Sequence, residues 1–403
     1  MDRKVIHMER VKFKDICEKI GSGSTPRGGK EVYCENGVSF VRSQNILDFS
    51  FSDDGLVYIN QDQAKKMNNV EVLEGDVLLN ITGDSVARAT MINPVYLPAR
   101  VNQHVTIIRA KKGVAISSYL LYFLQWRKEY LLQSASAGAT RNALTKGMIE
   151  NLVIDLPNLE IQQKVVAILD KIQEKMAINQ RINKNLEQQA QAIYAKMFAE
   201  NKTTTPATIA DVSINVTDGV HNTVHDDPTG EYLLLSCKNI KGGSLNIGSL
   251  ERRINIETFE KLRRRTKLAK GDILISSVGT VGELLLLNEE PFNYEFQRSV
   301  AMIKPNSNIV SPAYLYESLI FKRSELINAA HGAVQQCLFI ADIAGFPIEV
   351  PQQTDLLKFD AIVTPMLDII SANENENHKL AEIRDSLLPK LMSGELDVTD
   401  LDL

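Results

Sequence analysis

"GDVLLNITGD" runs from Gly75 to Asp84, and "GDILISSVGT" from Gly271 to Thr280. Each has a Gly-Asp pair, an apolar run and a polar turn, and the two copies lie 196 positions apart. That offset is far longer than a solenoid repeat, so the chain reads as a duplicated domain.

The correspondence extends outward from this stretch. "FKDICEKIGSGSTP" from Phe13 sits against "IADVSINVTDGVHN" from Ile209, and "VSFVRSQNI" (38–46) against "YLLLSCKNI" (232–240). "VNQHVTIIRA" from Val101 answers "FQRSVAMIKP" from Phe296, and "SAGATRNALTKGMIENLVIDLP" (136–157) answers "AHGAVQQCLFIADIAGFPIEVP" (330–351). The register holds within two residues while many identities differ. Each copy has short apolar runs, such as Val38–Val41, Val77–Ile81, Val105–Ile108, Tyr232–Leu235, Ile273–Ile275 and Leu284–Leu287, punctuated by Gly, Pro, Asn and Asp. These predict strands and turns, with helices near Tyr119–Gln133 and Ala313–Ala329, hence two α+β domains over 1–155 and 201–350.

After Pro157 and Pro351 the period changes. Ile161, Val165, Ile168, Ile172, Ile182, Leu186 and Ile193 form one seam, and Phe359, Val363, Met366, Ile370, Leu380, Leu387 and Leu391 a second. Two such seams predict long helices over 156–200 and 351–403, the latter ending in an acidic tail, that pair as an antiparallel coiled-coil-like spacer. At ~1.5 Å per residue, ~40 residues span about 60 Å. Asn179, Asn373 and Asn377 interrupt the seams, either as buried register-setting residues or as a solvated stretch. Pro365 and Pro389 should kink or end the second helix locally.

Composition sets outer bounds. With 403 residues, 44% hydrophobic and 24% charged, the chain is long enough for two or three cores. No apolar run approaches the roughly 18 residues of a membrane span, and the start lacks the apolar stretch of a secretory signal, so the expectation is a cytoplasmic protein. Cys17, Cys34, Cys237 and Cys337 are scattered, arguing against zinc or a disulfide framework. A net charge of −5 means any DNA face must be a local patch.

Catalytic signatures are weak. "NPVY" (93–96) lacks the second proline of the amino-methyltransferase loop and has no glycine-rich partner turn; it reads as a turn between strands. "SGSTPRGGK" (22–30) lacks phosphate-loop spacing. His221 and His225 share a short segment without an element to present both, and Gly83, Gly279 and Gly282 read as turn formers.

Together, "GSGSTP" (21–26), "VRSQNI" (41–46), "LEGDVLL" (73–79), "VNQHV" (101–105), "IDLPNLEIQQKVVAILDKI" (154–172), "AIYAKMF" (192–198) and "LLPKLMSGEL" (387–396) carry a resemblance over essentially the whole chain. The chain resembles the specificity (S) subunit of Type I restriction-modification systems. The second copy departs from the pattern at "VTDGVHNT" and "PQQTDLLKFD". The resemblance implies a non-catalytic, sequence-specific DNA-recognition subunit. Each target-recognition domain would read half of a bipartite, asymmetric site in double-stranded DNA, while the helices set spacing and dock two methylation subunits. Restriction/translocase subunits would join them. S-adenosylmethionine, ATP and Mg would reside on those partners, with no cofactor or metal on this chain.

Residue chemistry then selects candidate readers: Arg or Lys toward guanine, Asn or Gln toward adenine, and basic or hydroxyl groups toward phosphate. In the first domain they are Thr25, Arg27, Arg42, Gln44, Asn45, Arg88, Gln103, Arg141 and Asn142. In the second they are His221, Asn222, Lys238, Asn239, Thr280, Gln297, Arg298, Gln335 and Gln336, joined by Arg263, Arg264, Arg265 and Lys267 of the densest basic run. The alternatives are the specificity subunit of a methylation-only complex, a duplicated coiled-coil scaffold that binds protein, and a stand-alone methyltransferase.

Overall fold

Each apolar run that follows a Gly-Asp pair is buried on both faces, and a sheet is built around it. The computed structural model describes residues 7–136, 142–199, 204–248, 250–332 and 336–401. The candidates Arg141 and Gln335 lie outside these residues. The chain forms two compact units, Met1–Met176 with Lys379–Leu403, and Ala177–His378.

In the first unit, β1 (Met8–Lys12), β2 (Cys17–Ser22), β3 (Val38–Val41), β4 (Val77–Asn80), β5 (Ala89–Met91), β6 (Ala99–Val101), β7 (Val105–Ala110) and β8 (Val153–Pro157) supply the frame. A four-stranded antiparallel sheet has the order β2-β7-β4-β5. A second sheet is centred on the parallel pair β3 and β6, with Ser39 opposite Ala99, and β1 pairs with β8 from Met8↔Pro157 to Lys12↔Val153. The helix α1 (Ser117–Trp126) covers the first sheet and ends at Arg127, where a separate helix begins.

The second unit repeats this plan with β9 (Thr205–Thr208), β10 (Ser213–Asp218), β11 (Tyr232–Leu235), β12 (Ile273–Ser276), β13 (Leu284–Leu286), β14 (Tyr294–Phe296), β15 (Val300–Pro305) and β16 (Pro347–Val350). Its antiparallel sheet runs β10-β15-β12-β13, its parallel pair is β11 and β14, and β9 pairs with β16. Its equivalent of α1, Pro312–Phe321, breaks at Lys322 as α1 breaks at Arg127. The helical stretches that the sequence marks near Tyr119–Gln133 and Ala313–Ala329 are thus each divided into two segments.

The aspartate of each Gly-Asp pair is buried and fixes the strand behind it. Arg109 Nε and Nη2 donate to Asp76 Oδ1 and Oδ2 at 2.7 and 2.8 Å, and Leu73 N donates to Oδ2 at 2.8 Å. Lys304 Nζ donates to both oxygens of Asp272 at 2.7 and 2.8 Å, while Ala269 N reaches Oδ2 at 3.0 Å. One carboxylate therefore closes the turn before the central strand and ties it to the neighbouring strand.

The helix α2 (Leu159–Tyr194) starts where Asn158 Oδ1 caps Ile161 N at 3.0 Å. Buried Gln162 secures this start: its amide donates to Val114 O and Pro157 O, and its oxygen accepts from Ile116 N. In the first unit, Ile161, Val165 and Leu169 share a core with Leu388, Leu391 and Met392 of α3 (Gln353–Met392). In the second, Ala190 and Tyr194 pack with Phe359, Val363 and Leu367. The pairing is antiparallel within each unit.

Two expectations about these helices need correction. α3 runs helical through Pro365 and Pro389 without ending, because both rings face solvent, where a carbonyl deprived of its N–H partner can be hydrated. Ile182, placed on the seam, is 41% exposed, and Asn183 is buried instead. An α-helix drifts ~20° per heptad from a 3.5-residue repeat, so a seam extended at fixed phase rotates off the contact. Asn179 and Asn183 form a buried polar layer in the second unit. Asn179 donates to Glu376 and Asn377 at 2.7 and 3.0 Å; Asn183 donates to Ile370 O and accepts from Asn373 at 2.8 Å.

Glu317, 3% exposed, accepts from Gln191, and burial pushes its carboxyl from 4.5 up to about 7, with Glu187 adding to the rise. A raised acid stabilises most while protonated in both states, below its unfolded value, and that contribution disappears as pH rises through the folded value. Glu317→Gln should therefore become progressively more stable than the parent as pH rises from 4.5 through about 7 in denaturant titrations. A difference that does not change with pH would refute this.

Candidate nucleic-acid interface

Many of the candidate residues lie on loops at one end of each four-stranded sheet, whereas the basic run lies on a helix. In the first unit, Gly23 N donates to Val105 O at 2.9 Å and Ser24 N to Val101 O at 3.1 Å, pinning the loop after β2 to the turn 102–104. That turn is tied to β3 by Asn102 N→Val41 O at 3.0 Å, and to the loop after β4 by Ile81 N→His104 O at 2.9 Å. Leu144 N→Ile81 O at 2.8 Å and Gly83 N→Asn142 O at 3.3 Å add the segment around Asn142.

The second unit repeats these ties. Gly219 N donates to Val300 O at 3.1 Å, Gln297 N to Leu235 O at 2.8 Å, Ser277 N to Ser299 O at 2.9 Å and Leu338 N to Ser277 O at 2.9 Å. Gly23 and Gly219 permit the approach: a Cβ on either would lie 2.1 Å from a carbonyl oxygen, of Val101 or Phe296. These paired glycines fix the loop framework in each unit.

On this framework Thr25, Arg27, Gln44, Gln103 and Asn142 are exposed, and Arg88 is half-buried. Thr25 Oγ1 donates to Gln103 Oε1, Gln103 Nε2 meets His104 Nε2 at 3.1 Å, and His104 Nδ1 meets Thr82 Oγ1 at 2.6 Å. Thr82 and His104 are absent from the sequence-derived candidates, because nothing in their residue types or spacing shows that Thr82 meets the His104 ring and the ring in turn meets Gln103. Arg42 Nη2 reaches Gly55 O at 2.6 Å and Gln44 Nε2 the same oxygen at 3.5 Å, so both brace the 53–55 loop.

In the second unit His221, Asn222, Lys238, Thr280, Arg298 and Gln336 are exposed and Gln297 is half-buried. His221 Nε2 lies 2.6 Å from Asp218 Oδ2, and Lys238 pairs with Glu251 at 2.9 Å. Thr280 lends its carbonyl to the Ser276 hydroxyl, closing the turn that Gly279 and Gly282 allow with φ of 81° and 85°.

Several candidates serve the fold instead. Asn45 and Asn239 are fully buried: each accepts from the backbone three residues earlier, Arg42 N at 3.0 Å or Ser236 N at 2.9 Å, and donates to Ser52 O or Asn246 O. The basic run forms an amphipathic helix, Ile256–Thr266, rather than an open cationic face. Arg263 pairs with the fully buried Glu295 and donates to Pro291 O and Tyr294 O; Arg265 grips Asp218 and the carbonyls of Asp218 and Gly219. Arg264 and Lys267 remain exposed. Sequence density cannot distinguish an inward-facing arginine from an outward-facing one when the acid it meets lies 32 residues away.

Among the described residues no group of His, Cys, Asp or Glu could hold a metal ion, and no helix is long and apolar enough to cross a membrane. The four cysteines are free thiols.

A family model described as the Type I restriction modification DNA specificity domain matches residues 6–188 and again 220–384. The MjaIX specificity subunit of a Type I restriction enzyme in Methanocaldococcus jannaschii is 25% identical, over 97% of this chain and 94% of its own. The MjaX specificity subunit of the same organism, described as putative, is 21% identical over 96% and 93%. A crystal structure of a Type I restriction-modification S subunit from M. genitalium shares the fold, with a TM-score of 0.58 over 99% of both chains at 14% identity.

Arg263→Ala leaves Glu295 as a buried, unpaired carboxylate and should destabilise the second unit by about 3–5 kcal/mol, whereas Arg264→Ala should change stability by under about 0.5 kcal/mol. Equal effects in denaturant titrations would contradict the inward and outward assignment.

Proposed function

Since the chain belongs to the Type I restriction modification DNA specificity family, we propose that the loop-bearing end of each unit reads one half of a bipartite site in double-stranded DNA. The observation that carries this is the duplication of one loop framework with divergent side chains. A shared frame keeps both units able to meet the same kind of ligand, and the different residues let the two half-sites differ in sequence.

Among the exposed candidates, the proposed readers are Thr25, Arg27, Gln103 and Asn142 in the first unit, and His221, Asn222, Thr280, Arg298 and Gln336 in the second. Arg264 and Lys267 supply phosphate contacts that anchor without selecting sequence. Arg42, Gln44, Asn45, Lys238, Asn239, Arg263 and Arg265 hold the loops. Arg88 and half-buried Gln297 flank the readers.

In the proposed complex the paired helices set the half-site spacing and dock two methylation subunits. Exposed Ile178 and Ile182 on α2, with Leu357, Ile362 and Ile369 on α3, offer apolar surface for that contact. The chain itself performs no chemistry in this reading. S-adenosylmethionine binding and adenine modification lie on the methylation subunits, ATP and Mg chemistry on restriction/translocase subunits, and the assembly works in the cytoplasm.

Methylation mapping of genomic DNA from cells with and without this chain, both expressing its methylation subunit, should reveal a bipartite adenine motif that vanishes with the chain. No motif from a demonstrably assembled complex would remove the DNA-reading role. In binding titrations across salt, Arg264→Ala with Lys267→Asn, Asn being tolerant of the left-handed backbone at Lys267 (φ 49°), should weaken binding to all sequences alike. The slope of log K against log salt should become shallower by about 1 for each phosphate that the replaced side chain had neutralised; an unchanged slope would take these residues off the DNA face.

A further inference from the structure

We propose that Gln103 and Arg298 occupy the same reading position in the two units, and that Gln103 selects adenine in one half-site while Arg298 selects guanine in the other. This rests on the DNA reading above and adds to it the identity of one base in each half.

The equivalence is a matter of backbone bonds rather than of residue similarity. Gln103 sits in a turn held by Asn102 N→Val41 O, Val105 N→Asn102 O and Ile81 N→His104 O, at 3.0, 3.1 and 2.9 Å. Arg298 sits in a turn held by Gln297 N→Leu235 O, Val300 N→Gln297 O and Ser277 N→Ser299 O, at 2.8, 3.0 and 2.9 Å. In each unit a glycine without room for a Cβ, Gly23 or Gly219, presses the neighbouring loop against this turn. Residues 103 and 298 therefore leave corresponding turns at corresponding points, and both are exposed.

The side chains then present different faces. Gln103 is held at both ends of its amide, its oxygen accepting from Thr25 and its nitrogen meeting His104 Nε2. For that ring nitrogen to accept, Nδ1 carries the proton and gives it to Thr82 Oγ1. An amide has two N–H donors and two lone pairs, so one of each is left. Reversing every bond in the chain leaves the same remainder.

One remaining donor and one remaining acceptor are the groups that the adenine major-groove edge calls for, since its N7 accepts and its N6 amino group donates. Guanine offers two acceptors there, and one of them would face the amide oxygen. Arg298 has only donors, and among the described residues its guanidinium has no partner. It complements N7 and O6 of guanine and would meet the adenine amino group donor to donor. Ser299 replaces His104 in this unit, and its hydroxyl accepts from Cys237 N at 3.1 Å, so no amide clamp is built there. His104 and Thr82 are thus positioning residues for Gln103, and Thr25 meets its amide oxygen from the neighbouring loop.

The test uses the full chain assembled with its methylation subunits and a DNA library randomised in both half-sites, with the bound fraction sequenced. The parent should specify an adenine in one half-site and a guanine in the other. Gln103→Arg should turn that adenine into guanine, with a change in relative preference of about 10- to 100-fold, while the other half-site stays as it was. Arg298→Gln should make the reverse change in the other half-site. Gln103→Glu keeps the size of the side chain, removes its donors and should favour cytosine at the same position. His104→Ala should relax preference at that position alone, with the salt slope unchanged, which general loosening of the fold would not do. Retained selection of the intact half-site reports that each variant is folded. If both exchanges and Gln103→Glu leave every base preference unchanged while the bipartite site is still selected, this inference fails alone. If the parent complex selects no sequence, the DNA reading itself fails.

Discussion

Everything else in each unit hangs on one buried carboxylate. Asp76 and Asp272 lie at the start of the central strand, where each accepts a backbone N–H from the turn before it and a cation from the strand beside it. A buried charge is tolerated only when paired and hydrogen-bonded, so the turn, the central strand and its neighbour must assemble together. Arg109 meets its aspartate through two nitrogens in a planar fork; Lys304 meets its own as a point charge. Burial pushes the Asp272 carboxyl upward and the lysine opposes it. The turn at 102–104, or 297–299 in the second unit, begins at the opposite end of the strand that carries this cation, so the pair that builds the core also fixes where that turn emerges.

The repeat, the strand runs and the two long helices were legible because they depend on local periodicity and on comparison of the chain with itself. What was illegible depends on partners distant in sequence. Arg263 looks like its neighbour Arg264 until Glu295 is seen to be buried against it. Asn45 and Asn239 look like readers because Asn suits adenine, yet each sits three residues after a backbone N–H that it caps. Ile182 and Asn183 exchanged roles because helical drift accumulates silently along a seam. The chain around Gln103 requires four side chains from three loops, and only Thr25 and Gln103 of the four stand out by residue chemistry.

The two units also show how a duplicated frame diverges without losing its shape. Buried Arg100 in the first unit donates to Glu71, Asn68 and the Ala64 carbonyl; the corresponding residue in the second is buried Glu295, served by Arg263 and Thr266. The sign of the charge has been inverted, and the surrounding helix supplies the opposite sign. Gly282, with φ of 85°, stands where the first unit holds Ala87 in the same left-handed region at 66°. Backbone geometry is retained even where the residue best suited to it is not.

In each unit the first and last strands of the globular repeat lie side by side, Met8 opposite Pro157 and Thr205 opposite Val350. A repeat whose entrance and exit are zipped together is a cassette: what lies between the two strands can be replaced wholesale while the ends stay joined to each other. The strands that hold entrance to exit lie apart from the loops that carry the candidate residues, so residue changes in those loops leave the closure of each repeat untouched.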